Sequence, residues 1–291
     1  MGGKPPVKRG RERMDLSQAL QVWWVLPVAT AIATVALSSG ISGALFFSPF
    51  FLLVVGLPPA QAIGAGLMTE LFGTSFGSLN YMRQRVIDYK TFRILLAATI
   101  PAAVGGAFVA NRIEPGILQI VLGAVLVVLA IIVLYHSTQK KASPAGPALD
   151  QARRMTTIRA RDGSIYSYRT CNRTLGMSLA GIGAFLTGLM STGLPEITTT
   201  QLIIRCRIPP RVAVATAISI LTVTVFFAAG VHALVAEPAW FTVVWSVPGV
   251  IIGAQIGPRL AGRVPAEIAE RVLAGLFLAI GLLVIALRFR G

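Results

Sequence analysis

The chain has 291 residues, 55% of them hydrophobic and 13% charged, with a net charge of +15 and a mean hydropathy of +0.74. That hydropathy excludes an ordinary soluble domain, and the two cysteines, Cys171 and Cys206, give no sign of a disulfide framework or a metal site. The positive charge is gathered beside apolar runs, which points to cytoplasmic loops and anionic lipid headgroups rather than to nucleic acid.

Residues 1–17 form a basic tail (Lys4, Lys8, Arg9, Arg11, Arg13), expected at the cytoplasmic face. No cleavage-site pattern follows the first apolar run. Apolar runs at 20–37, 92–110, 117–135, 239–256 and 272–287 each approach the roughly 20 residues that carry a helix across a bilayer. The expected fold class is an all-α polytopic protein of the cell (inner) membrane.

The first run passes into "SSGISGALFFSP" (38–49), a break rich in small residues, and then into a short apolar piece, 44–57. "GLPPAQAIGAG" (56–66) follows. Proline suits the start of a helix and not its interior, so the Pro-Pro pair opens a helix over 59–82. Helices over 91–111 and 117–136 complete a first half, 18–136. Residues 137–173 are polar. There "KKASPAGPALDQ" has linker composition, and "TIRARDGSIYSYRT" alternates around Asp-Gly, which predicts a β-hairpin over 157–169.

The second half, 174–289, repeats this order: helix 174–190, the break "STGLPE" (191–196), a short piece 196–204, and helices over 210–233, 239–260 and 267–288. "RIPPRVAVATA" (207–217) aligns with "GLPPAQAIGAG" at an offset of 151, which also pairs Tyr89 with Trp240. "GAFVANRI" (106–113) pairs with "GAQIGPRL" (253–260). These landmarks predict a duplication, each half having about four full helices and one short broken or re-entrant helix, or 8–10 membrane segments.

Two arrangements fit. If the short pieces re-enter on one face, the tail, 83–93, 140–173 and the C-terminus share a side that holds 19 of the 26 Lys and Arg. If they cross, the repeats are inverted and the best split is 18 against 8. The charge rule favours the first, with a cytoplasmic N-terminus.

Unpaired backbone groups are costly in a bilayer, so broken helices survive only where protein or a water-filled cavity satisfies them. Paired breaks in two repeats commonly form a transporter's substrate site. The candidate substrate ligands are Ser38, Ser39, Gly40, Ser42 and Ser48 in the first break, and Ser191, Thr192, Gly193, Thr198 and Thr199 in the second. Hydroxyls can replace part of an anion's hydration shell, Gly193 permits a turn, and Pro195 can open the short helix with its N-terminus facing the cavity. The competing reading has these hydroxyls bonding within or across helices.

Glu70, mid-helix, and Glu196, at the break, are candidate proton carriers, because intramembrane acids are rare and usually functional. Glu196 as a first-turn acid favoured by the helix dipole is the bland alternative. Arg83, Arg205, Arg207 and Arg211 either draw anions to a vestibule or anchor helices at the interface. Cys206 reads as an ordinary small apolar residue, and His136 and His232 as interfacial.

The small-residue break, the following Pro, the short helix and the Pro-Pro helix start resemble the sulfite exporter TauE/SafE (TSUP) family, over nearly all of 20–289. The polar hairpin between two halves is similar too. The resemblance implies transport of sulfite or small organosulfur anions such as sulfoacetate. No Walker motif, zinc spacing or nucleotide fingerprint occurs, so neither cofactor nor metal nor enzymatic activity is expected. The expected partners are a small anion, protons and membrane lipids; the sequence says nothing of oligomeric state. The alternatives are an intramembrane lipid-phosphate enzyme and a passive anion channel.

Overall fold

The computed structural model describes residues 21–39, 43–139, 155–169, 173–235, 239–260 and 266–290. The elements are α1 (Val25–Ser39), α2 (Ala44–Leu53), α3 (Pro59–Gln84), α4 (Tyr89–Ala110), α5 (Pro115–Gln139), β1 (Met155–Arg159), β2 (Ile165–Arg169), α6 (Arg173–Met190), α7 (Leu194–Thr200), α8 (Pro210–Val235), α9 (Trp240–Leu260) and α10 (Ala266–Arg290). A π-helical turn, Gln201–Arg205, continues α7. Among the described residues, α4, α6 and α8 are long and apolar enough to cross a membrane, and α1, α5, α9 and α10 hold shorter apolar stretches. The chain is a polytopic helical membrane protein.

Helix starts follow local chemistry. Pro59, Pro115 and Pro210 each occupy a first helical position, where their missing N–H costs nothing. Asp88 caps α4, its Oδ1 accepting from Lys90 N at 3.0 Å and Thr91 N at 3.1 Å. Starts recur at a fixed distance: Pro59 and Pro210, Tyr89 and Trp240, and Pro115 and Ala266 are each separated by 151 residues.

Packing follows the same rule. α1 packs on α9 and α6 on α4; α4 packs on α8 and α9 on α3; α2 packs on α3 and α7 on α8. Exchanging the halves turns each contact into its neighbour in that list. α3–α8 and α5–α10 are their own counterparts. Small residues make the close seams, as membrane helices must pack without a hydrophobic drive between them. A Cβ on Gly188 of α6 would fall onto the Ala103 carbonyl oxygen of α4, and one on Gly106 onto that of Phe185. On α9, a Cβ on Gly249 would lie 2.6 Å from Leu26 O, and one on Gly253 2.7 Å from Thr30 O.

These contacts also fix chain direction. Gly249 meets Leu26 and Gly253 meets Thr30, so α1 and α9 run the same way. Thr69 bonds Ser246 at 2.7 Å and Gly73 meets Val250, so α3 joins them. Thr99 with Thr224 (3.0 Å) and Asn111 with His232 (3.3 Å) make α4 parallel to α8, and α6 follows α4 through Gly176–Leu95 and Gly188–Ala103. The two groups oppose each other, since Ser78 bonds Ser219 (3.2 Å) while Gln84 bonds Arg211 (2.8 Å). Hence α1 and α3 are parallel, with α2 returning between them, and α6 and α8 are parallel, with α7 returning.

This corrects the arrangement favoured by charge. α3 runs toward the β1–β2 hairpin, where Gln84 O accepts from Arg161 N at 2.9 Å, and α1 runs the same way. The chain therefore enters α1 from the end away from the hairpin. The tail itself lies outside the described residues. The hairpin pairs Met155–Arg159 with Ile165–Arg169, antiparallel, around Asp162-Gly163. Its Tyr168 packs with Leu202, Cys206, Ile208 and Val212, which seats it at the hairpin-side ends of α7 and α8.

Candidate functional site

α6 ends at Met190 and the chain doubles back. Ser191 adopts φ +65° and Gly193 φ +125°, conformations that an L residue other than glycine resists. A Cβ on Gly193 would also lie 3.0 Å from Leu186 Cβ and 3.2 Å from Gly183 O. The turn is held by Ser191 N donating to Thr187 O at 2.7 Å. α7 then runs back beside α6 until Gln201 Nε2 donates to Gly176 O at 3.2 Å.

At this turn the two halves meet. Ser191 Oγ and Ser48 Oγ of α2 are hydrogen bonded, and Ser191 Oγ also donates to Met190 O at 2.6 Å. Ser48, Ser191 and Thr192 are buried. Gly66 of α3 makes room for this contact, because a Cβ there would fall onto Ser48 Oγ.

The helix start at the break is less open than the sequence suggests. Gly193 N donates to Glu196 Oε2 at 3.2 Å and Leu194 N to Thr187 Oγ1 at 2.9 Å, and Pro195, in the first turn, has no N–H. Glu196 therefore caps its own helix. What the break leaves available is side-chain hydroxyl. Thr192 Oγ1 and Thr198 Oγ1 are buried and make no hydrogen bond within the described residues, as is Gln201 Oε1. Burying such a group without a partner costs about 1–3 kcal/mol, so three in one short segment make it the candidate place for a polar ligand. Thr199 is half-buried and Thr200 exposed, which puts them on the other side of α7.

The other candidates divide. Glu70 is buried (3% exposed) in the middle of α3. Arg83 is exposed at the end of α3, near the hairpin, and does not join the break. Arg205 ends the π-helical turn and is half-buried beside Gly176. Ser38 and Ser39 close α1, but their side chains, with Gly40 and Ser42, lie outside the described residues.

Two readings are corrected. His232 is fully buried rather than interfacial; its Nε2 lies 3.0 Å from Gly188 O and its Nδ1 3.3 Å from Asn111 Nδ2. Those partners assign the neutral tautomer with the proton on Nε2. Cys206 is disulfide-bonded rather than an ordinary apolar side chain; Cys171, like the side chain of His136, lies outside the described residues.

Sequence reasoning missed Thr187, Gln201 and Asp88. Gln201, an amide inside an apolar piece, carried the one usable signal. Asp88 Oδ2 accepts from Thr91 Oγ1 at 2.6 Å and from Tyr168 Oη at 2.8 Å, and its N–H donates to Thr216 Oγ1 at 3.0 Å. It thereby ties α4 to the hairpin and to α8. Burial, and then the Asp88 charge, push the Tyr168 hydroxyl above its ordinary value, so it stays a donor. Beside it, at the hairpin end, is a pocket lined by Thr91, Tyr168, Arg173, Gly176, Gln201 and Cys206, with apolar residues between them.

Comparison with known proteins points to membrane transporters. The chain is 22% identical over 237 residues to the probable membrane transporter protein YunE of Bacillus subtilis (strain 168), covering 81% of this chain and 85% of that protein. It is 26% identical over 234 residues to the probable membrane transporter protein YjnA of the same organism, covering 77% and 86%. No solved structure matches significantly. The sequence profile of the sulfite exporter TauE/SafE family matches residues 25–284, and the chain belongs to that family of membrane transporters.

Proposed function

We propose that this chain is a secondary transporter for a small sulfur-containing anion, such as sulfite, sulfoacetate or a similar organosulfonate, bound where the two broken segments meet. The observation that carries the reading is the group at the second break: Thr192 and Thr198, buried with unpartnered hydroxyls, beside the buried Ser48–Ser191 contact. Neutral hydroxyls replace an anion's water without holding it as tightly as a fixed cation, which suits a site that must release its cargo. The family's name supplies the sulfur oxyanion.

The two halves act in this reading as inverted repeats. The common 151-residue spacing of helix starts and the opposed directions of α3 and α8 support it, and such repeats permit alternating access about a central site. The hairpin end, where Arg83, Arg85, Arg159, Arg161 and Arg211 gather, is the cytoplasmic end by the charge rule. Arg205 stands at that mouth.

Glu70 is the proton-coupling residue in this scheme, since Glu196 is engaged in capping α7. In proteoliposomes loaded for labelled-sulfite flux, a pH gradient drives the wild-type protein. Glu70→Gln still binds the anion, but its flux no longer follows the gradient. A wild-type pH profile in Glu70→Gln would remove the coupling role, and absence of any protein-dependent flux would remove transport of sulfite altogether.

A further inference from the structure

The pocket at the hairpin end has an unusual polar lining. Thr91 Oγ1 and Tyr168 Oη each commit their proton to Asp88 Oδ2, at 2.6 Å and 2.8 Å. Gln201 commits its Nε2 to Gly176 O at 3.2 Å. Cys206 has no thiol proton to offer. The Thr91 and Tyr168 hydroxyls therefore keep only lone pairs to present, and Gln201 Oε1 is a further acceptor, buried without a hydrogen-bond partner on a residue that is 6% exposed. Among the described residues, Arg173 lines the wall and Arg205 lies beside Gly176.

Position adds to this. Gln201 lies three residues after Thr198, on the same side of the α7 path, where side chains at that spacing are neighbours. The buried unpartnered atoms of Thr192, Thr198 and Gln201 thus run from the break to the pocket.

A fully ionised oxyanion finds positive charge here but repels the lone pairs of Gln201 Oε1 and leaves that acceptor without a donor. A neutral donor leaves the cation unused. A monoanion that still carries a hydroxyl satisfies both: its charge faces Arg173 and its O–H donates to Gln201. We propose that this pocket is a vestibular site that takes the singly protonated form of a small oxyanion before it reaches the break. The proposal rests on the transport reading above and names the protonation state that the cytoplasmic end selects.

The test uses the purified full chain in lipid nanodiscs, titrated calorimetrically at mildly acidic pH with hydrogen sulfite and, separately, with methanesulfonate. Both probes are monoanions, and methanesulfonate lacks the hydroxyl. A Thr198→Val background weakens the site at the break. Hydrogen sulfite is expected to bind about tenfold more tightly than methanesulfonate, as a site built to accept a hydrogen bond rejects the analogue without it. Gln201→Met is expected to erase that preference, and Arg173→Gln, on the exposed side, to weaken both probes alike. Equal affinity for the two probes in the unmutated pocket, or binding of neither in the Thr198→Val background, overturns the proposal. Failure of the transport reading looks different: proteoliposomes then carry no flux, whatever these titrations give.

Discussion

The two short helices, α2 and α7, each precede a helix that starts at a Pro-Pro pair and are built from opposite materials. α2 is "ALFFSPFFLL". Phe47 and Phe51 are fully buried and stacked at 6.0 Å, and Phe46 lies 5.0 Å from Phe277 of α10. Its one hydroxyl, Ser48, is spent on Ser191. α7 is "LPEITTT", its start held by backbone N–H groups donating to Thr187 and Glu196 rather than by ring packing, and Thr198 in it and Thr192 just before it keep buried hydroxyls unspent. One arm thus packs, and the other, on the proposed function, binds. The difference teaches that two broken helices at similar places can differ in what they leave available: rings packed away in α2, hydroxyls without partners at α7.

Four perturbations sharpen or break this contrast, from the largest expected effect to the smallest. The frame comes first. Gly188→Val drives a side chain into the α4 backbone and is expected to leave no monodisperse protein on size exclusion in detergent. Gly105→Val, at a glycine with open space around it, is expected to purify normally. Equal yields would mean that the α4–α6 seam does not hold the frame.

The second separates the arms. Thr198→Val keeps shape and removes the hydroxyl, so transport is expected to fall about tenfold or more with the melting temperature unchanged. Phe47→Leu is expected to do the reverse, lowering the melting temperature while transport per folded molecule persists. A crossed result would assign binding to α2.

The third concerns the turn that presents α7. Gly193→Ala forces φ +125° on a residue with a Cβ, at a cost of about 1–3 kcal/mol. It is expected to lower thermal stability measurably and to weaken anion binding, because α7 shifts. Unchanged stability and affinity would mean that the turn is not strained as described.

The fourth is slight. Arg211 and Ser164 hold the Asp162 carboxyl well below the ordinary carboxylate range, with Arg211 at 2.6 Å. A depressed folded pKa gives stability that is present above the unfolded value of about 3.9 and is lost as pH falls through the folded one. The pair is exposed, so solvent screens it. Hydrogen exchange in β1 and β2 is expected to quicken slightly in strong acid and to be indifferent between neutral and mildly acidic pH. A large change in that upper range would point to another titrating group.

Much of the frame is legible in the sequence, for local reasons. Pro59 and Pro210 mark helix starts because proline tolerates few other places. Asp162-Gly163 marks a turn between alternating residues. Chain direction is not legible: the two arrangements differ by a single basic residue on the richer side, 19 against 18 of 26, and the seams that decide it join residues far apart in sequence.

The site is legible in part. The break at 191–193 announces itself by composition, and Thr192 and Thr198 are found there. That Thr187 and Glu196 take up the amide donors depends on α7 folding back beside α6, which no spacing reveals. Ser48 and Ser191 are 143 residues apart, and Arg83, plausible by charge alone, is carried to the hairpin end by the length of α3.

The most direct measurement is to locate the anion. Crystals of the full chain grown with selenite, a selenium counterpart of sulfite, give an anomalous signal that marks its position. The account predicts a peak within hydrogen-bonding reach of Thr192 and Thr198, beside the Ser48–Ser191 contact. A peak confined to the surroundings of α2, away from those two threonines, would contradict the claim that the unpartnered hydroxyls of the second break make the site.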